Sequence, residues 1–415
     1  MRKLLIAMAA AVTAAALSVP GLPASAGTGR WSGSWGAAPQ QPAAGVFAPN
    51  WSQAGFAAQS VRQVVRLSTG GAAVRIRLSN AYGATPLKVH GASLARAGAG
   101  AALRPGTLRP VTFGHAAATV IPAGAETVSD PVPLPATALD RLAVTLYFAA
   151  PTGPATYHDI ASATSYRAGG DRRFDPRGTA FTGTTASWYY LTGVDVLGPA
   201  RSVVAFGDSI TDGTGSTQDA ANRYPDQLAE RLAATGRRLG VVNSGISGNR
   251  LLNGSPCFGE RASARFRRDV LDRPGVRSVI VMEGINDIGY SLIPGECTSP
   301  NPEVSAAQII DGHRALIRAA HAAGIRIIGG TIVPFKGSYF DVGDREQVRD
   351  AVNAWIRTSG EYDAVVDFEH AVADPADPDR LRPEYDVRDG RPGDGLHPND
   401  AGLDAMAAAV DLNSL

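Results

Sequence analysis

Two spacings of apolar residues divide the chain. From about Trp31 to Leu197, apolar and polar positions alternate: Val74, Ile76 and Leu78 are interleaved with Arg75, Arg77 and Ser79. Leu142, Val144, Leu146 and Phe148 are likewise interleaved with Ala143, Thr145 and Tyr147. A period of two places one face of an extended strand against a core. Turn-forming runs such as Ser68-Thr69-Gly70-Gly71 and Pro151-Thr152-Gly153-Pro154 separate these stretches, with no long helical pattern between them. Residues 30–198 are therefore expected to form a β-rich domain, a sandwich or jelly roll.

After Gly198-Pro199-Ala200, which reads as a linker, the pattern changes. Short apolar runs at Val203–Phe206, Val241–Val242, Val279–Met282, Ile325–Ile328 and Val365–Phe368 predict strands. Between them lie helical stripes: Tyr224, Leu228 and Leu232; then Ile309, His313, Leu316, Ile317 and Ala320; then Val348, Val352, Trp355 and Ile356. Strands alternating with helices predict an α/β domain over residues 201–415, built on a parallel sheet covered on both faces. Sites in such sheets lie beyond the carboxyl ends of the strands.

The first residues carry a different signal. Arg2 and Lys3 precede an apolar run from Leu4 to about Val19, followed by Pro20, Pro23 and Ala24-Ser25-Ala26. Residues 1–26 are read as an export signal rather than an anchor, with the mature chain starting near Gly27 and secreted to the exterior. No later stretch approaches the roughly 20 apolar residues of a membrane span. In an oxidising compartment the two cysteines, Cys257 and Cys297, are expected to pair, the alternative being two buried thiols. Lys and Arg number 39 against 38 Asp and Glu, a balance that disfavours a nucleic-acid partner. With 44% hydrophobic residues in 415, disorder of the whole chain is excluded.

Four segments hold candidate chemistry. The first strand of the second half runs into Gly207-Asp208-Ser209-Ile210-Thr211-Asp212-Gly213, placing the Ser209 hydroxyl and backbone N–H at the sheet's carboxyl edge. Alone, this segment also fits an ordinary turn. Asn243-Ser244-Gly245-Ile246-Ser247-Gly248-Asn249-Arg250 follows the second strand, and there Gly248 can bring an N–H close to a substrate or simply make a tight turn. Glu283-Gly284-Ile285-Asn286-Asp287 follows the third, where Asn286 can offer a neutral donor or a helix cap. Near the end stands Gly393-Asp394-Gly395-Leu396-His397-Pro398-Asn399, in which Asp394 can orient His397 as a base. The remaining histidines, His90, His115, His158, His313, His321 and His370, are assigned structural or solvated roles.

In this order, the four segments make residues 201–415 resemble the SGNH hydrolases, also called GDSL esterases and lipases. The family's four signature residues match Ser209, Gly248, Asn286 and His397, and its catalytic acid matches Asp394. Ile210 departs conservatively from the family's leucine. The resemblance implies a flavodoxin-like α/β/α fold and ester hydrolysis through an acyl-enzyme on Ser209, with Ser209, Gly248 and Asn286 forming the oxyanion hole. It also implies that no metal or other cofactor takes part. No Gly-x-Ser-x-Gly elbow of the α/β-hydrolase kind is found.

The expected substrate is a small-molecule or polysaccharide ester with a short acyl group, such as acetylated carbohydrate. A lipase or phospholipase, and a non-catalytic glycan-binding protein, are the alternatives. Two further features are given bland readings: Asp374, Asp377 and Asp379 as a solvated loop rather than a calcium site, and Trp31, Trp35, Trp51 and Trp188 as core rather than sugar platforms. The sequence leaves the natural ester, the role of the β-rich half and the oligomeric state open.

Overall fold

The structure is a computed structural model describing residues 30–45, 48–198, 201–388 and 390–415. Residues 1–29, which include the segment read as an export signal, and the Pro199-Ala200 part of the expected linker lie outside the described residues. The first half contains two main antiparallel sheets. One has four strands, in the order Trp31–Gly36, Leu191–Leu197, Val74–Ser79 and Glu126–Val128. The other has six, with Gln59–Arg66 and Arg141–Phe148 paired at its centre. Inward residues of both sheets, among them Ile76, Val194, Val61, Leu142, Val144 and Phe148, fill a shared core, which makes this half a sandwich.

The alternation predicts one buried face for Arg141–Phe148, yet Ala143 and Thr145 are buried as well. Segments around Ala97–Leu103 and Arg172–Phe181 fold over the outer face, and the buried Arg62 guanidinium pins them by donating to Ala101 O, Arg172 O and Asp175 O. Sequence alternation does not report such cover, because it comes from distant loops. The tryptophans belong to the packing. Trp35 and Trp188 meet edge to face at 4.8 Å, Trp51 stacks on Tyr189 at 5.5 Å, and Arg75 covers the Trp31 ring.

Within the second half the strands are labelled β1 (Arg201–Gly207), β2 (Leu239–Gly245), β3 (Val276–Met282), β4 (Arg326–Gly330) and β5 (Ala364–Val366). They form one parallel sheet in the order β2-β1-β3-β4-β5. The order reverses at β1, between β2 and β3, so the crevice favoured by open α/β sheets lies at these carboxyl ends. The fifth strand is shorter than the expected Val365–Phe368. Asp367 accepts the His370 N–H and caps a helix that begins at Phe368, which ends the extended run. The other predicted stripes form helices Tyr224–Ala234, Ala306–Ala322 and Arg345–Thr358, their apolar faces buried. No helix of the described residues is long and apolar enough to cross a membrane.

The sandwich covers the edge of this sheet. Gly33 lies so close to the Val242 side chain that an added Cβ would come within 2.6 Å of it, and Ser68 Oγ accepts the outward N–H of Val241 at 2.7 Å. An edge strand that would otherwise offer free backbone groups is thereby occupied.

Candidate active site

Strands β1, β2 and β3 end level, because Gly207 is in register with both Gly245 and Met282. The three loops that follow are consequently brought to one point. Ser209 opens helix α1 (Ser209–Asp212), capped by Asp208, whose carboxylate accepts the Ile210 N–H at 3.0 Å. At the first helical position the Ser209 N–H has no intrahelical acceptor. The hydroxyl faces His397, with Oγ 2.8 Å from Nε2. On the other side of the ring, Nδ1 is 2.7 Å from Asp394 Oδ2.

Local backbone bonds fix that histidine. Asp394 Oδ1 accepts the N–H of His397 at 2.9 Å and of Leu396 at 3.1 Å, folding the loop around its own carboxylate. The Arg388 guanidinium donates to His397 O at 2.7 Å. Burial opposes ionisation of Asp394, but the His397 hydrogen bonds and the Arg388 charge outweigh it and hold the carboxyl well below the ordinary range. An ionised Asp394 keeps the proton on Nδ1, leaving the Nε2 lone pair for the serine proton. Ser209 and His397 are only 6% and 8% exposed.

Gly248 sits in a turn closed by the Asn249 N–H on Ile246 O at 3.0 Å, a bond that leaves its own N–H unused in the turn. Its φ of 77° and the Phe258 ring, 2.4 Å from where a Cβ would stand, both require glycine. Asn286 lies in the short helix Ile285–Gly289 and donates from Nδ2 to Asn249 O at 2.9 Å. That bond orients the amide and uses one of its two protons.

Several residues that sequence reasoning missed hold the loops together. Arg265, fully buried beneath them, donates to Gly207 O at 2.9 Å, Ser244 O at 2.7 Å and Asn249 Oδ1 at 2.8 Å, and pairs with Glu283 at 3.2 Å. One guanidinium thus ties the ends of β1, β2 and β3. Asp287 accepts the N–H groups of Leu251 at 2.6 Å and Leu252 at 3.0 Å, joining the Asn286 loop to the Gly248 loop. Burial raises Asp287 to about 6, and it also raises Glu283 and Asp208 above the ordinary carboxylate range. Asp287 could have been suspected from its place beside Asn286. Arg265 is harder to read, since two of its partners are backbone carbonyls at the ends of other strands and Glu283 lies 18 residues away.

Cys257 and Cys297 form a disulfide with Cα atoms 5.2 Å apart. Beside it, Arg250 donates to Thr298 O at 2.8 Å, so the segments after the Gly248 and Asn286 loops are joined twice. Of the aspartates considered for calcium, two are engaged by cations, Asp377 by Lys336 at 2.8 Å and Arg380 at 3.1 Å and Asp379 by buried Arg349 at 3.0 Å, while Asp374 accepts the Ala376 N–H at 2.9 Å. Arg349 also meets Glu346 and Asp350, so the carboxylates of Glu346, Asp350 and Asp379 share one guanidinium.

Residues 205–405 match the model of the GDSL-like lipase/acylhydrolase family. Among solved structures the chain is similar to a variant of an acetyl xylan esterase from Geobacillus stearothermophilus, at 23% identity over 50% of this chain and 92% of that one, with a TM-score of 0.38. It is also similar to the lipase/acylhydrolase from Enterococcus faecalis, at 19% identity over 50% and 92%, with a TM-score of 0.37. A hydrolase from the metagenome of Lake Arreo, Spain, gives 23% identity over 50% and 92%, with a TM-score of 0.37. No curated protein matches the sequence.

Proposed function

Since residues 205–405 form a domain of the GDSL-like lipase/acylhydrolase family, which makes the protein a carboxylic ester hydrolase, we propose that it is an exported esterase that cleaves short-acyl esters, such as acetylated carbohydrate, through an acyl-enzyme on Ser209. The observation that carries this reading is the continuous chain from Ser209 Oγ to His397 Nε2 and from His397 Nδ1 to Asp394, at 2.8 and 2.7 Å.

In the first step His397 takes the Ser209 proton as Oγ attacks the ester carbonyl, giving a tetrahedral oxyanion and an imidazolium stabilised by Asp394. The N–H groups of Ser209 and Gly248 and the second amide proton of Asn286 face the oxyanion. The intermediate collapses, the C–O bond to the alcohol breaks, and His397 returns the proton to the leaving oxygen. Water then repeats the sequence against the acyl-serine, releasing the acid and restoring Ser209.

A short acyl group fits the packing around the nucleophile. Ile210, Ile246, Phe258, Ile285 and Leu396 all turn inward and are buried, which leaves these loops little apolar surface for a lipid chain. By contrast Tyr339, two residues beyond the Gly337 that packs on Gly395, is 54% exposed and offers a ring with a polar hydroxyl. Export is supported by the basic and apolar leader and by the disulfide.

Two experiments test the reading. A fluorophosphonate should label the wild type and not Ser209→Ala, and labelling of both would remove Ser209 as nucleophile. A p-nitrophenyl ester series run beside acetylated xylan and a phospholipid should favour acetyl and acetylated xylan. A preference for long chains or for phospholipid would replace the short-acyl assignment.

A further inference from the structure

The β-rich half sends one buried ring into the loops around Ser209. His158 lies in the two-residue strand Tyr157–His158, paired with Trp188–Tyr189, and is 3% exposed. Its Nδ1 is 2.9 Å from Ala38 O, and its Nε2 is 2.9 Å from Asp212 Oδ1 and 3.1 Å from Ile160 O. Both ring nitrogens therefore face oxygen acceptors, an arrangement that the doubly protonated imidazolium satisfies. Burial opposes that charge, and the Asp212 carboxylate outweighs it.

Asp212 is the last residue of α1, the helix that Ser209 opens, and it is itself buried. While Oδ1 meets His158, Oδ2 accepts both the N–H and the Oγ–H of Ser247, at 2.9 and 2.8 Å. Thr214 Oγ lies 3.0 Å from Ser247 Oγ and completes the group. Ser247 immediately precedes Gly248. The peptide plane that carries the Gly248 N–H is thus the one leaving Ser247, and Ser247 is held at both its backbone and its side chain by one carboxylate.

We propose that His158 is a positioning residue for ester hydrolysis: from the β-rich half it fixes Asp212, and through Asp212 and Ser247 it sets the peptide plane whose N–H faces the oxyanion. The inference rests on the reading of Ser209 as nucleophile and Gly248 as oxyanion donor. It gives the sandwich a part in catalysis without any contact to substrate. Removing the cation leaves Oδ1 of the buried Asp212 without its charged donor, with Arg223 as the remaining nearby cation, and a carboxylate that then shifts, gains water or protonates moves Ser247. Small displacements of an oxyanion donor are costly to the rate and nearly silent in ground-state binding.

The test uses the full chain with His158→Gln, which keeps the side chain polar and removes the charge, and with Ser247→Ala, which removes one of the two bonds to Asp212. Active sites are first counted by fluorophosphonate labelling, with Ser209→Ala as the control that checks the nucleophile independently. Turnover of p-nitrophenyl acetate is then expressed per labelled site. The expected result is a kcat lower by about 10- to 100-fold for His158→Gln and by about 3- to 10-fold for Ser247→Ala, with KM within about twofold. The double variant should lose little more than His158→Gln alone, because both act along one chain of contacts. An unchanged kcat per labelled site in His158→Gln would overturn the proposal, even with a large loss of thermal stability, and so would a double variant showing the product of the two losses. Should His158→Gln fail to fold, Ser247→Ala decides by the same measure: unchanged turnover per site ends the proposal.

Discussion

Both halves of this protein bury arginine completely, and Arg62 in the first and Arg265 in the second do different work. Arg62, in the sandwich, donates to Thr145 Oγ and to three backbone carbonyls of covering loops, and burial lowers it to about 10. Arg265, beneath the candidate site, also holds carbonyls but lies between two buried carboxylates, Asp269 and Glu283. Around Arg62 the surroundings are apolar: the guanidinium lies 4.2 Å from the Phe181 ring, which packs with Ala101 and Ala168 of the covering layer. Around Arg265 the charged groups crowd together: Asp208, Asp287 and Glu283 all stand under three loops that must stay in register. Where a sheet needs only cover, bulk and carbonyl bonds suffice. Where donors must converge on one atom, the fold accepts the cost of buried charge.

The largest expected effects lie at the end of that network. Ser209→Ala and His397→Ala should each lower kcat by at least about 10³-fold with thermal stability retained, and the double variant should add little, because nucleophile and base act as one unit. Steady-state kinetics with unfolding controls check this, and multiplicative losses would break the unit.

Next comes the comparison of the two arginines. Arg265→Met strands the buried Glu283 carboxylate, while Asp269 keeps Arg268 and Arg273, and should cost about 3–5 kcal/mol, with a fall in kcat per active site. Arg62→Met strands only neutral acceptors and should cost about 1–3 kcal/mol, with turnover per site unchanged. Denaturant titration alongside active-site-normalised rates separates them, and equal kinetic effects would erase the contrast.

Asn286→Ala should lower kcat by about 10²- to 10³-fold with KM nearly unchanged, since the oxyanion forms only on the way through the transition state. A change confined to KM would make Asn286 a substrate-binding group.

The smallest effect concerns pH. Because Asp394 is held below the ordinary carboxylate range, the stability it contributes is fully present above its unfolded value of about 3.9 and is lost as pH falls through its folded value. The difference in Tm between wild type and Asp394→Asn should therefore persist at neutral and mildly acid pH and close only in stronger acid. Closure already at pH 6 would contradict the ionised Asp394.

Much of this was legible in the sequence where the signal is local. The strands of the second half follow from short apolar runs. The link between Asp394 and His397 is readable because the two are three residues apart, and Gly248 because its left-handed backbone excludes other residues. The contacts that hold the site were not legible. His158 reaches Asp212, and Arg265 reaches Gly207 O, across separations of 54 and 58 residues. Backbone carbonyls, which figure in both sets of contacts, have no residue type to betray them. For the same reason the covered outer face of Arg141–Phe148 is invisible to alternation, and the cap that shortens β5 shows only once Asp367 is seen to accept the His370 N–H.

On this mechanism, ester cleavage passes through an acyl group on Ser209. Rapid mixing with p-nitrophenyl acetate, acid quench within the burst and mass measurement of intact and digested protein tests it most directly. The wild type should gain the mass of one acetyl group, located on the peptide containing Ser209 and missing from Ser209→Ala. Burst turnover with no acylated protein, or an acetyl group carried by another residue and kept in Ser209→Ala, would contradict it.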